Sequence, residues 1–172
     1  MASLIRNVHA ATETWRLLDA AALEAWQVGE RDTQSTGVLI PLALWLEQPQ
    51  ERRDAVRGSF GVVLQASDDP AALAADFERI PVIAIQFARF NDGRGYSIAR
   101  LLRQRYGYRG ELRAIGDVLR DQLFYMKRVG FDAFELRADQ DVETALRAFG
   151  DFSETYQAAV DQPIPLFRRR AA

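Results

Sequence analysis

The stretch Pro81-Val-Ile-Ala-Ile-Gln-Phe87 decides the fold class of this chain. Its apolar residues occupy both odd and even positions, which is typical of a strand buried on both faces of a parallel sheet. The glycine-rich segment Asn91 to Gly95 follows and indicates a turn. Ser97 to Tyr106 then carries apolar residues at helical spacing, and Gly107 is suited to end the helix. Residues 81–107 therefore predict a strand–loop–helix unit.

The same unit recurs along the chain. Strands are predicted at 60–64, 81–87, 111–115 and 132–137, and helical patterns follow them at 71–80, 97–106, 119–126 and 142–149. Repeated units of this kind predict an α/β fold with a parallel sheet. The pattern fits an open doubly wound sheet or a partial (βα) barrel, since a complete eight-unit barrel takes about 250 residues.

The remaining segments predict a simple domain organisation. Residues 1–37 form an N-terminal arm, residues 38–160 a single α/β domain, and residues 161–172 an extended tail that carries Arg168 to Arg170. The apolar stretch Val38 to Leu46 fits an edge or bulged strand around Pro41, or a helix that starts at Leu42.

Composition excludes several classes of chemistry. The chain has 172 residues, no cysteine, one histidine (His9) and a net charge of −2. Without cysteine there is no disulfide, iron–sulfur cluster or thiolate metal site, and we expect no metal site or intrinsic haem. The cofactor is left open, since a redox reaction would need a borrowed flavin or nicotinamide. No signal peptide or membrane-spanning stretch is evident, so we expect a cytoplasmic protein that does not bind membranes.

Polar residues follow three successive predicted strands. They are Asn91 to Arg94 after the second strand, Asp117 with Arg120 after the third, and Arg137 with Asp139 after the fourth. Because the carboxyl ends of parallel strands share one edge, in an open sheet and in a barrel alike, we expect these loops to meet there.

The turn before the predicted helix has the features of an anion site. Gly93 and Gly95 permit positive φ and exposed amide groups, and the helix adds the positive end of its dipole. The predicted anion-binding residues are Asn91, Asp92, Gly93, Arg94, Gly95, Ser97, Arg120 and Arg137. The alternative is a tight turn in which the glycines only allow the bend and Ser97 or Asp92 only caps the helix.

Asp117 and Arg94 are the candidate catalytic residues at this edge. Asp117 is suited to acid–base chemistry or, with Asp121, to magnesium binding. A helix cap is the alternative for Asp117, and a pair with Arg120 would serve structure as readily as catalysis.

Charge is distributed unevenly along the sequence. Residues 86–137 carry eleven basic and six acidic side chains, which makes this segment +5 and the remainder −7. We expect it to receive an acidic protein partner or a small anion, and not nucleic acid. The exposed edges of a partial barrel also favour a homodimer.

Three stretches carry a resemblance to a known family. They are Phe87 to Leu102, Gly110 to Leu123, and Val129-Gly-Phe-Asp-Ala-Phe-Glu-Leu136. Over roughly residues 37–160 the chain resembles DUF934, a bacterial family of proteins of unknown function. The resemblance implies a place in assimilatory sulfate reduction, with sulfite reductase or another enzyme of that process as partner. Members are often labelled as oxidoreductases of sulfite reduction. Many carry a cysteine where this chain has Val129.

Overall fold

The structure is a computed structural model and describes residues 3–27 and 36–170. The strands are β1 (Ser3–Arg6), β2 (His9–Ala11), β3 (Trp15–Leu17), β4 (Gly37–Pro41), β5 (Phe60–Leu64), β6 (Val82–Phe87), β7 (Glu111–Gly116) and β8 (Ala133–Leu136). The helices are α1 (Ala20–Gln27), α2 (Leu42–Glu47), α3 (Gln50–Ala55), α4 (Arg94–Gln104), α5 (Leu123–Val129), α6 (Val142–Arg147) and α7 (Leu166–Arg169).

The eight strands form one sheet in the order β2-β1-β8-β7-β6-β5-β4-β3. Strands β3 to β8 are mutually parallel, and β1 runs antiparallel to both β8 and β2. This confirms the predicted α/β class with a parallel sheet.

Among the described residues, helices pack on one face of the sheet and not on the other. The main core contains Ile83 and Ile85 of β6 together with Leu102 of α4 and Met126 of α5. The opposite face carries a small layer made by strand residues, Leu39, Val63, Ala84 and Ile115. A doubly wound sheet has helices on both faces, so the structure selects the half-barrel from the two predicted architectures.

The connection between the two edge strands shows how strongly the sheet curls. Strands β2 and β3 are opposite edges, yet Ala11 and Trp15 are only four residues apart in the chain. Four Cα–Cα steps span at most about 15 Å, whereas a flat sheet of eight strands is about 34 Å wide. The edges must therefore approach each other at this point, and the uncovered face becomes the inside of the half-barrel.

Most predicted elements are confirmed, with two local differences. The segment 71–80 forms a 3-10 turn at Pro70–Leu73 followed by further turns, and not a regular helix. The buried carboxylate of Asp76 lies there and accepts hydrogen bonds from Trp45 Nε1 at 2.9 Å and Arg53 Nη1 at 2.6 Å, so tertiary contacts override the helical spacing. The strand and the helix that were alternatives for residues 38–46 are both present, one after the other. Strand β4 ends at Pro41, and helix α2 starts at Leu42.

The two terminal segments are also more structured than an arm and an extended tail. Within residues 1–37, the described residues 3–27 and 36–37 include strands β1, β2 and β3, which belong to the common sheet. The tail contains a single helical turn, α7, in which Arg169 pairs with Glu154 at 2.9 Å. No helix within the described residues is long and apolar enough to cross a membrane.

Candidate functional site

The loops that follow β6, β7 and β8 are joined by the side chain of Asp117. One carboxylate oxygen accepts a hydrogen bond from the main-chain N–H of Phe90 at 2.9 Å, and the other accepts one from Arg137 Nη1 at 2.8 Å. Arg137 also contacts Asp139 at 2.6 Å. The predicted meeting of strand ends at one edge is therefore present for these three loops. We call Phe90, Asp117, Gln122 and Arg137 the rim cluster.

Phe90 is held at both of its main-chain polar groups. Asp117 accepts from its N–H, and Gln122 donates from Nε2 to its carbonyl oxygen at 2.8 Å. The Gln122 amide oxygen accepts from the Leu119 N–H at 2.9 Å, so the amide itself is fixed. The Phe90 side chain nevertheless lies mostly in solvent, with 56% of its surface exposed. The rim thus presents an aromatic ring on a backbone that cannot move freely.

Gly116 allows Asp117 to reach Phe90. Its φ is +93°, a conformation that L side chains rarely adopt, and a Cβ placed on it would lie 2.4 Å from the Phe87 carbonyl oxygen. That same oxygen accepts a hydrogen bond from the Asp117 N–H at 2.8 Å. The interpretation of Asp117 as a helix cap was wrong, because its carboxylate is used to join loops.

The turn before α4 does not have the geometry predicted for an anion site. Gly93 has a φ of −75°, and Gly95 is not among the glycines with positive φ. Gly95 is needed for packing instead, since a Cβ there would lie 2.7 Å from the Phe87 ring. The carboxylate of Asp92 accepts the N–H of Arg94, the first residue of α4, at 3.2 Å, but the N-cap position itself is Gly93, which has no side-chain cap. Asn91 and Ser97 are exposed, and Ser97 lies within the helix.

The predicted anion-binding arginines are already paired with carboxylates. Arg94 contacts Asp92 at 2.7 Å, and Arg120 contacts Asp151 at 2.9 Å in place of Asp117. Hydrogen bonds from Arg94 lower the pKa of Asp92 to about 2. Arg137, bound by Asp139 and Asp117, has a raised pKa for the same reason. An anion at this edge would have to compete with aspartates of the chain itself.

The positive segment 86–137 is also less available than its charge suggests. Arg113 and Arg128 are buried, and Arg103 is held by Asp132 and by three main-chain carbonyls. Arg89, beside Phe90, is exposed, and its side chain forms no hydrogen bond or ion pair with any residue that the structure describes. The free positive charge at the rim is therefore concentrated next to the exposed ring.

A second cluster, inside the half-barrel, was not predicted. Arg113 of β7 is fully buried, and its guanidinium lies 2.6 Å from Glu111 and 4.3 Å from the centre of the Trp15 ring. Arg6 binds Glu111 at 2.6 Å and also pairs with Glu13. We call Arg6, Glu13, Trp15, Glu111 and Arg113 the inner cluster.

The inner cluster depends on the curl of the sheet. Three strands separate β3 from β7, so in a flat sheet Trp15 and Arg113 would be about 19 Å apart. Glu13 lies on the connection between the two edges, where it pairs with Arg6 and accepts from Trp15 Nε1 at 3.0 Å. Arg6 lowers the pKa of Glu13 through a hydrogen bond. The cluster lies at the amino-terminal end of the parallel strands, where Trp15 and Glu111 begin β3 and β7.

Glu135 of β8 is an additional acid on the inner face. It lies opposite Leu4 in the sheet register, and its side chain forms no hydrogen bond or ion pair within residues 3–27 and 36–170. Burial raises its pKa, and the charge of Arg113 acts in the opposite direction. The sequence signal for the inner cluster is the alternation Glu111-Leu-Arg-Ala-Ile115, since strands of a parallel sheet are usually apolar on both faces.

The described residues offer no evident metal site. No group of three His, Cys, Asp or Glu residues among them is arranged to hold a metal ion. Asp117 and Asp121 therefore do not form part of such a group within the described chain. The chemistry at the rim rests on hydrogen bonds, ion pairs and one exposed aromatic ring.

Comparison with known families assigns the chain to one of them. The family model described as a bacterial protein of unknown function, DUF934, matches residues 61–167, which is more than half of the chain. The chain belongs to this family. No curated protein matches it, and no solved structure does.

The DUF934 match includes the rim cluster and only part of the inner cluster. Phe90, Asp117 and Arg137 fall inside residues 61–167, whereas Arg6 and Trp15 lie outside them. The region that matches DUF934 therefore contains the whole rim cluster, whereas the inner cluster lies partly outside it.

Proposed function

We propose that this protein is an accessory component of assimilatory sulfite reduction that docks on a partner enzyme through its rim cluster. The observation that carries the proposal is Phe90, a mostly exposed ring on a backbone held by Asp117 and Gln122. Aromatic side chains are enriched among residues that dominate binding energy at interfaces. A rigid backbone reduces the conformational entropy lost on binding.

The charge beside the ring indicates what the partner offers. Arg89 is exposed and has no carboxylate partner among the described residues. A complementary surface has an apolar pocket for the ring, with an acidic group next to it. The resemblance to DUF934 implies that this partner is a sulfite reductase or another enzyme of sulfate assimilation.

Docking is favoured over catalysis at this edge. Asp117 and Arg94, the two candidate catalytic residues, are both engaged by partners within the chain, at 2.8 Å and 2.7 Å respectively. A general base or an anion clamp needs these groups available to substrate. We propose that the rim works in the cytoplasm as a binding surface, and that any reaction takes place on the partner.

The test is binding to purified sulfite reductase of the same organism, measured by biolayer interferometry. We expect micromolar affinity and a loss of at least tenfold in Phe90→Ala, which is ~1.4 kcal/mol or more. Phe167→Ala is the matched control, because Phe167 is also 56% exposed but lies on α7. Light scattering on the same samples tests the predicted homodimer.

Two results would contradict the proposal. One is the absence of binding at tens of micromolar for the intact chain. The other is an equal loss in Phe90→Ala and Phe167→Ala, because the rim would then have no special role.

A further inference from the structure

A cavity of about 430 Å³ lies between helices α4 and α5 and the segment 152–160, and no residue of the rim cluster lines it. Its volume is within the range of small-molecule sites. The residues that give it its chemistry are Arg100, Phe124, Tyr125, Arg128, Phe152 and Tyr156.

Arg128 is the most unusual of these residues. It is 93% buried, and its Nη2 donates to the Gln157 carbonyl oxygen, while Nη1 has no hydrogen-bond partner in the described chain. The main-chain carbonyl of Arg128 accepts from the Val160 N–H at 2.9 Å. A buried guanidinium nitrogen without an acceptor is unfavourable. Because Nη1 is itself buried, Arg128 contributes an uncompensated positive charge beside the cavity, and this charge favours a carboxylate or phosphate there.

The cavity lining is also rich in aromatic residues. Tyr125, Phe152 and Tyr156 each have more than half of their surface exposed although they line a concave site. The rings of Phe124 and Phe152 are 5.0 Å apart and tilted, which fixes the position of Phe152. Exposed rings around a cavity gain from covering by another flat group.

The net charge of the lining is positive. Arg100 is exposed and uses only its Nε, which donates to Gln104 at 2.8 Å. The acid on the wall, Glu154, is paired with Arg169 at 2.9 Å. The cavity lining therefore carries two guanidinium groups, those of Arg100 and Arg128, and its one carboxylate is already held in an ion pair.

We propose that this cavity binds a small molecule that combines a planar ring with an anionic group, a phosphate or a carboxylate. Arg100 binds the anion through charge-assisted hydrogen bonds, which guanidinium groups form with both anions, and the buried charge of Arg128 adds to the attraction. The ring stacks on Tyr125, Phe152 or Tyr156. This site is separate from the rim cluster and does not depend on docking to a partner enzyme.

Isothermal titration calorimetry of the full chain tests the proposal. The probes are adenosine monophosphate, flavin mononucleotide and indole-3-acetate. Adenosine and inorganic phosphate, the two parts of adenosine monophosphate, are titrated separately as controls. We expect at least one of the three probes to bind with a Kd below 1 mM, and the two parts to bind at least tenfold more weakly than adenosine monophosphate if that is the probe bound. Binding of adenosine monophosphate or flavin mononucleotide indicates a phosphate ligand, and binding of indole-3-acetate indicates a carboxylate ligand.

Variants then locate the binding. Arg100→Gln and Phe152→Ala change exposed side chains, so they should fold, and we expect each to weaken binding at least tenfold. Arg105→Gln is the matched control, because Arg105 ends the same helix and does not line the cavity. The proposal is overturned if none of the three probes binds below 1 mM, if Arg100→Gln and Phe152→Ala bind like the native chain, or if Arg105→Gln weakens binding as much as they do.

Discussion

The carboxylate of Asp117 lies 2.9 Å from the main-chain nitrogen of Phe90, 27 residues earlier in the chain. This hydrogen bond joins the loop after β6 to the loop after β7. It also gives Asp117 a structural task at the position where the sequence suggests a catalytic one.

Replacing Asp117 by alanine should loosen the rim. The Phe90 N–H loses its acceptor, and Arg137 keeps only Asp139, so we expect a loss of about 1–2 kcal/mol in the free energy of unfolding. Urea denaturation measures the loss, and amide exchange at Phe90 should become faster. Asp139→Ala removes the other carboxylate of Arg137 and should leave Phe90 exchange unchanged. Equal exchange rates in both variants would contradict the assigned role of Asp117.

Alanine substitutions at two glycines with similar φ angles, Gly58 and Gly116, distinguish the cost of backbone strain from the cost of a steric clash. Gly58 has a φ of +99° and open space around it, whereas Gly116 has a φ of +93° and the Phe87 carbonyl oxygen within 2.4 Å of a new Cβ. Gly58→Ala should cost about 1 kcal/mol for its backbone conformation alone. Gly116→Ala should cost about 3 kcal/mol or more, because the clash adds to the strain. Thermal and urea unfolding compare the two, and similar losses would show that the clash relaxes.

The inner cluster should be sensitive to the loss of one acid. Glu111 accepts from both Arg6 and Arg113, and Arg113 is fully buried. Glu111→Gln removes the nearest counter-charge of the buried Arg113 guanidinium and leaves only the Glu13 carboxylate, 3.8 Å away, so we expect a loss of about 3 kcal/mol in unfolding free energy. Glu154→Gln breaks the exposed pair with Arg169 and should cost about 0.5 kcal/mol or less. A loss no larger in Glu111→Gln than in Glu154→Gln would mean that the cluster contributes little.

Glu135 should make stability depend on pH in a defined direction. Burial raises its pKa above the ordinary value of 4.5, so the folded chain favours the protonated form. The corresponding stabilisation is complete below the unfolded pKa and is lost as the pH rises through the folded pKa. Glu135→Gln should therefore stabilise the protein at pH 7 relative to the native chain, and this advantage should shrink towards pH 4.

Chemical denaturation between pH 4 and pH 7 checks the effect of Glu135→Gln. The control is Glu143→Gln, which changes an exposed glutamate in the first turn of α6. A constant difference between Glu135→Gln and the native chain at every pH would show that ionisation of Glu135 is not its cause.

The sequence predicts the repeated units well because their signals are local. The buried strand 82–87, the helix ended near Gly107 and the cap at Asp141 each depend on neighbouring residues. The edge on which Asp117 and Arg137 meet follows from the common direction of the strands.

The curl of the sheet and the inner cluster depend on contacts that no local pattern encodes. Arg113 meets Trp15 only because the two sheet edges approach each other, across 98 residues of chain. The pairing of Arg94 with Asp92 is equally hard to foresee, since an arginine beside a glycine-rich turn fits both an anion clamp and an ion pair.

The pairing of β1 with β8 has a consequence for synthesis on the ribosome. Strand β1 can pair with β2 at once, but Leu4 lies opposite Glu135, so β1 waits for about 130 further residues before its second neighbour, β8, exists. Contacts between such distant segments slow folding and leave hydrophobic strands uncovered in the meantime. The nascent chain is thus expected to complete its sheet only after β8 has been synthesised, with chaperones as the natural protection for β1 until then.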